Sequence, residues 1–166
     1  AFGGLTMGAV NNSALLSSVI TGASPVQAIF NTVPNTSLAQ QLHMVARLVN
    51  AQTQLSLKRQ IFFVRIGGFD LHDNQVVIGN TVSGAHTNLL RDISQSLGAF
   101  YRALQQLGAE NQVTTFTASD FGRTYNTNGD GSDHGWGSNH FVLGGAVKGG
   151  DIYGRMADLT IRGPDD

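Results

Sequence analysis

The chain has 166 residues, of which 41% are apolar and only 13% charged, and its formal net charge is −1. That length suits a globular domain, and so slight a charge gives no footing for nucleic acid or an anionic membrane as partner. The absence of cysteine excludes disulfides, thiolate metal sites and a cysteine nucleophile, and no run of about 18 apolar residues is present to span a bilayer.

Residues 1–35 are rich in Gly, Ser, Asn and Thr and read as a loop-rich segment. A short helix is predicted at Ser24-Pro25, where Ser can cap and Pro suits the first helical position. AFGGLTMGAV has no basic stretch ahead of an apolar one, so no signal peptide is expected there. From Ser37, SLAQQLHMVARLVNAQ sets Leu38, Leu42, Val45, Leu48 and Val49 at helical spacing, and Ser37 with Gln40 fits a capping box. Ile61-Phe62-Phe63-Val64, stopped by two glycines, reads as a buried strand.

A second long helix is expected over about Asn88 to Leu107, with Leu89, Leu90, Ile93, Leu97, Phe100, Tyr101, Leu104 and Leu107 as its buried stripe and Gly108 as its C-cap. QVTTFTAS (112–119) and Phe141-Val142-Leu143 read as further strands. The alternation of helix and strand predicts an α/β fold over residues 36–166, a largely parallel sheet flanked by helices.

In such sheets ligands gather beyond the carboxyl ends of the strands. The first strand runs into Gly67-Gly68-Phe69-Asp70-Leu71-His72 and the second into Ser119-Asp120-Phe121-Gly122-Arg123; the loop after it carries Asp133, His134 and His140. Asp70 and His72, two apart in extended backbone, face the same side and can reach one ion. The plainer alternative makes Asp70 a turn cap and His72 a surface residue.

Asp133-His134 needs a bent backbone to converge on one centre, and Gly131, Gly135 and Gly137 allow it. A glycine-rich hairpin with incidental histidines is the alternative. It must still account for two of five histidines falling within seven residues, beside an acid and the only Trp. Together Asp70, His72, Asp120, Asp133, His134 and His140 offer a mixed oxygen and nitrogen set suited to zinc, manganese or iron rather than calcium, with enough ligands for two ions.

Arg123 and Lys148 are the candidate anion-binding residues. Arg123's planar fork matches two oxygens of a phosphate or sulfate, and Lys148 sits among glycines that let backbone approach a ligand. Arg123 can equally pair with Asp120, and Lys148 can be a solvated turn residue. His43, within an apolar helix, and His86, at a helix start, are weaker ligand candidates. Ser119 and Thr124 are the available hydroxyls, but neither sits in a G-x-S-x-G elbow, so a Ser-His-Asp hydrolase fits poorly.

RQIFFVRIGGFDLHDNQ, LGAFYRALQQLG and VTTFTASDFGRTYNTNGDGSDHGWGSNHFVLGGAVKGGDIYG, within roughly residues 38–154, resemble the DUF1501 proteins, a bacterial family of unknown function grouped with the alkaline phosphatase and sulfatase superfamily. The resemblance implies an alkaline phosphatase-like α/β sandwich with metal ligands on loops after the strands. It also implies a small-molecule or polymeric anionic ester as substrate, and a periplasmic or secreted location. On this resemblance Asp70 and His72 correspond to the acid and histidine of one metal site, Asp133-His134 to the pair of the other, and His140 to a late histidine ligand.

In that superfamily the acid–histidine pair follows its strand at once. Here that place reads Asp120-Phe121, so either Asp120 is the ligand or the loop is extended. Residues 1–35 hold no counterpart of the superfamily's first acidic ligand or its hydroxyl nucleophile, and with the ending TIRGPDD this implies a piece of a longer chain. Two functions follow: a metal-dependent hydrolase of phosphate or sulfate esters, or a non-catalytic exported metal-binding or surface-assembly protein.

Overall fold

A computed structural model describes the backbone of residues 2–165 and the side chains of residues 10–165. The chain divides into two compact units. One comprises Ala1–Ile66 with Asp92–Ala109, the other Gly67–Arg91 with Glu110–Asp166.

The first unit is helical. α1 (Phe2–Thr21) forms where composition predicts loop, α2 is a single turn (Gln27–Phe30) that starts after the predicted Ser24-Pro25, with Val26 rather than Ser24 at its N-cap, and α3 spans Ser37–Asn50. The C-terminal carbonyls of α1 are satisfied by α3: Arg47 donates to Val19 O and Gly22 O, placing a cation where a helix end favours one.

Thr36, not Ser37, caps α3. Its Oγ1 accepts from Ala39 N at 3.2 Å and donates to Asp92 at 2.7 Å, while Gln40 turns to Asn35 instead of closing a capping box.

α4 is Ala85–Gln106. Its buried face within this unit is Ser96, Ala99, Phe100, Ala103 and Leu104, narrower than the predicted leucine stripe. Gly108, at φ 65°, ends it as expected. The core gathers Val26 and Phe30, then Leu38, Leu42, Val45, Ala46 and Val49 of α3, with the α4 face.

The predicted parallel sheet is absent among the described residues. What forms is two two-stranded antiparallel sheets, and this overturns the α/β, alkaline phosphatase-like architecture. Ile61-Phe62-Phe63-Val64 has no ladder partner, and Ile61 and Phe63 are almost fully exposed. Apolar composition favours extended backbone, but a strand also needs a neighbour. Just beyond this run the Gln41 amide takes both backbone groups of Arg65, donating to its carbonyl and accepting from its N–H, each at 2.9 Å.

In the second unit β1 (Thr115–Phe116) pairs antiparallel with β4 (Val142–Leu143), in register Thr115↔Leu143. The two predicted strands thus meet, in the opposite sense to that expected. β2 (Gly122–Thr127) and β3 (Ser132–Gly135) form a hairpin in the segment expected to be loop.

Every buried apolar side chain belongs to the first unit; among the described residues the second unit has none. It is held instead by hydrogen bonds to loops. No helix among the described residues is long and apolar enough to cross a membrane.

Candidate metal centre

The centre lies in the second unit and is built on the β2–β3 hairpin. Arg123 pairs across it with His134, and the register slips between Arg123 and Thr127. The turn is closed locally: Thr127 Oγ1 donates to Gly131 O at 2.8 Å, and Asn128 Oδ1 accepts from Gly131 N at 2.8 Å. Gly129 supplies the positive φ, 125°, that the turn requires.

The segment carrying Asp70 and His72 is laid against this hairpin by a set of polar tethers. Arg123 donates one terminal nitrogen to Phe69 O and the other to Ser132 O. Asn128 Nδ2 donates to His72 O at 2.6 Å. Asp130 accepts from Asn74 N on its carboxylate (3.1 Å) and from Val76 N on its carbonyl (3.0 Å). Ser132 Oγ donates to Gln75 Oε1 at 2.8 Å. The approach is so close that a Cβ at Gly131 would collide with the His72 carbonyl oxygen.

Three ligand groups converge as a result. Asp70 Oδ1 lies 2.9 Å from His72 Nε2 and 2.8 Å from His134 Nε2, and the three residues offer one ligand atom each within 4.8 Å of one another. The hydrogen bond from His134 holds the Asp70 carboxyl below the usual carboxylate range, with the charges of His72, His134 and Arg123 acting the same way. The imidazole of His134 is sandwiched, with Phe121 at 3.7 Å and His72 at 4.7 Å between ring centroids. The Arg123 guanidinium sits 5.0 Å over the far ring, Phe121.

Two imidazole nitrogens and one carboxylate oxygen are a donor set that zinc accepts in sites keeping a fourth position open. Ligand atoms about 2.0–2.1 Å from a tetrahedral ion stand roughly 3.3 Å apart. The Asp70 oxygen therefore has to withdraw by roughly half an ångström from each nitrogen, a shift within reach of an exposed side chain. The residues fit a metal ion.

Of the six sequence candidates, the fold brings Asp70, His72 and His134 together, and Asp133 beside them with Oδ1 3.0 Å from His72 Nδ1. Asp120 is exposed and outside the cluster. His140 is also outside it, with Nδ1 3.2 Å from Thr117 Oγ1. Arg123 spends both terminal nitrogens on backbone carbonyls, and Lys148 is exposed with its carbonyl accepting from Tyr153 OH.

His86 packs edge-on against Phe69, 5.8 Å between centroids, and its pKa is lowered by burial and by Arg123. His43 is held in the first unit by Ser24 and Phe30. Phe121, Asn128 and Asp130 were not anticipated as parts of the centre. The turn chemistry of NTNGDG was the available signal for the last two; nothing in the sequence marks Phe121.

No curated protein and no solved structure matches the chain. A family model described as "Protein of unknown function (DUF1501)" matches residues 27–162, a span that takes in the whole centre and the hairpin beneath it. The chain belongs to the DUF1501 family.

Proposed function

We propose that this chain binds a divalent transition-metal ion through Asp70, His72 and His134 and serves in metal-dependent hydrolysis of phosphate or sulfate esters. The observation that carries it is the convergence of one carboxylate and two imidazoles, all exposed, in a group that no fourth His, Asp or Glu joins among the described residues. A bound zinc, manganese or iron ion would supply Lewis acidity and a water of lowered pKa.

The chain's own residues would hold and aim that ion. Asp70 stays ionised to low pH, the Phe121 ring fixes the plane of His134, and Arg123 ties both ligand-bearing segments to the hairpin. Kinship to the alkaline phosphatase and sulfatase superfamily and an exported location are part of this proposal and rest on the resemblance of the acid–histidine segments alone. Fold does not support them.

A second reading is favoured by one observation. Arg123, the residue best suited to grip an ester's anion, is engaged by Phe69 O and Ser132 O. On that reading the ion is structural and the protein is an exported binding or assembly module.

Elemental analysis of the purified full-length protein beside a His72→Ala/His134→Ala variant tests the proposal. Stoichiometric metal lost in the variant, together with metal-dependent turnover of an aryl phosphate or sulfate ester, supports the hydrolase. Metal without turnover supports the module, and a wild-type protein that takes up no supplied metal refutes both.

A further inference from the structure

The sequence makes Asp133 a metal-ligand candidate, yet its carboxylate lies on the opposite side of the His72 ring from Asp70. Oδ1 of Asp133 is 3.0 Å from His72 Nδ1, whereas Nε2 of the same ring faces Asp70 at 2.9 Å. The two imidazole nitrogens are therefore divided between two carboxylates. One carboxylate belongs to the converging cluster with His134; the other does not.

We infer that Asp133 is a positioning residue. It accepts the Nδ1–H of His72, selects the tautomer whose Nε2 lone pair points at the ion, and fixes the ring's orientation. The inference rests on the metal-binding proposal above.

The physical reasoning has three parts. A neutral imidazole has one N–H and one lone pair, so an acceptor fixed on Nδ1 leaves Nε2 free to ligate. A carboxylate on the far nitrogen also raises the donor strength of the near one, the arrangement common behind metal-bound histidines. Finally, Asp133 and His134 are consecutive on β3. One four-residue strand therefore supplies both a ligand and the support for the other histidine ligand, which arrives from residues 70–72.

The same placement explains an adjacent acid–histidine pair without asking both side chains to reach one ion. The His72 ring, stacked on His134 at 4.7 Å, is long enough to touch Asp70 with one nitrogen and Asp133 with the other.

Asp133 is 83% exposed, so its replacement leaves no cavity and the variants should fold. The test is titration of the full-length apo protein with Co²⁺ alone, followed by the d–d absorption of the bound ion, for wild type, Asp133→Ala, Asp133→Asn and His72→Ala. Loss of such supporting groups typically costs about 10–100-fold in affinity.

Asp133→Ala is expected to weaken Co²⁺ by that factor with band positions and intensity unchanged. Asp133→Asn, which keeps an acceptor oxygen, should lose less, and His72→Ala should change the spectrum or abolish binding. A changed spectrum in Asp133→Ala would make Asp133 a ligand and overturn the inference, as would wild-type affinity in that variant. A wild type that binds no Co²⁺ sinks the metal proposal itself, and this inference with it.

Discussion

The ring of His134 lies flat on the ring of Phe121, with centroids 3.7 Å apart and planes 9° from parallel. Phe121 is thus a platform for a candidate ligand whose other face meets His72. Aromatic pairs contribute about 0.5–1.5 kcal/mol beyond buried area. Phe121→Ala should therefore cut metal affinity by up to about ten-fold, and Phe121→Tyr should keep most of it. Metal titration of the two variants checks this, and equal affinity in both would reduce Phe121 to a neighbour.

Arg123 separates two roles by experiment. An anion receptor could be removed without loss of metal, whereas a brace between Phe69 O and Ser132 O could not. Arg123→Ala should lower both metal affinity and thermal stability, since hydrogen bonds from a charged donor contribute about 1.5–3 kcal/mol each. Arg123→Lys should rescue little, because an ammonium cannot reproduce the planar fork that spans two carbonyls. Unchanged metal content in Arg123→Ala would return the residue to anion binding.

The second unit has no buried apolar side chain among the described residues, while Phe116, Trp136, Phe141 and Tyr153 stand exposed. A unit so built gains little from burial, so an ion joining residues 70–72 to β3 should add a large share of its order. Saturation at about 100-fold above Kd stabilises by about 2.7 kcal/mol. Hydrogen exchange with and without Zn²⁺ should show protection gained across residues 67–91 and 110–166 and little change in α3. His134→Ala should erase the gain; uniform protection of both units would speak against it.

How far the centre was legible depends on whether each relationship is local. Two-residue spacing in extended backbone predicts Asp70 and His72 on one side; the structure does hold them 2.9 Å apart, but across a turn in which Leu71 N donates to Phe69 O. The Asp133-His134 pair stood out as polar residues among glycines. That its two side chains meet different partners, Asp133 the Nδ1 of His72 and His134 the Asp70 carboxylate, did not, because that depends on which side the His72 ring presents. Asp120 and His140 carry the right chemistry, but only tertiary placement could exclude them from the cluster.

The sheet is illegible in the sequence for the same reason. Strand character is local, whereas pairing is not. Residues 112–119 and 141–143 do meet, but antiparallel, and the apolar run 61–64 finds no ladder at all.

His43 offers a test in the first unit, away from any ligand. Its Nε2 is 2.6 Å from Ser24 Oγ and its ring stacks on Phe30 at 4.7 Å. Burial, and then the charge of Arg47, lower its pKa from the usual histidine value. As pH falls below about 6.5, the unfolded chain takes up this proton before the folded one does. The stability contributed by the neutral ring is therefore complete above that pH and is lost as pH drops towards the depressed folded value. Replacing the ring by a neutral amide, His43→Gln, removes the titration. Thermal melts between about pH 7.5 and 5 should show wild type losing more stability on acidification than His43→Gln, although the variant starts lower for want of the Phe30 stack. Parallel pH profiles for the two proteins would mean that His43 titrates alike in the folded and unfolded chain, and that burial and Arg47 do not hold the ring neutral.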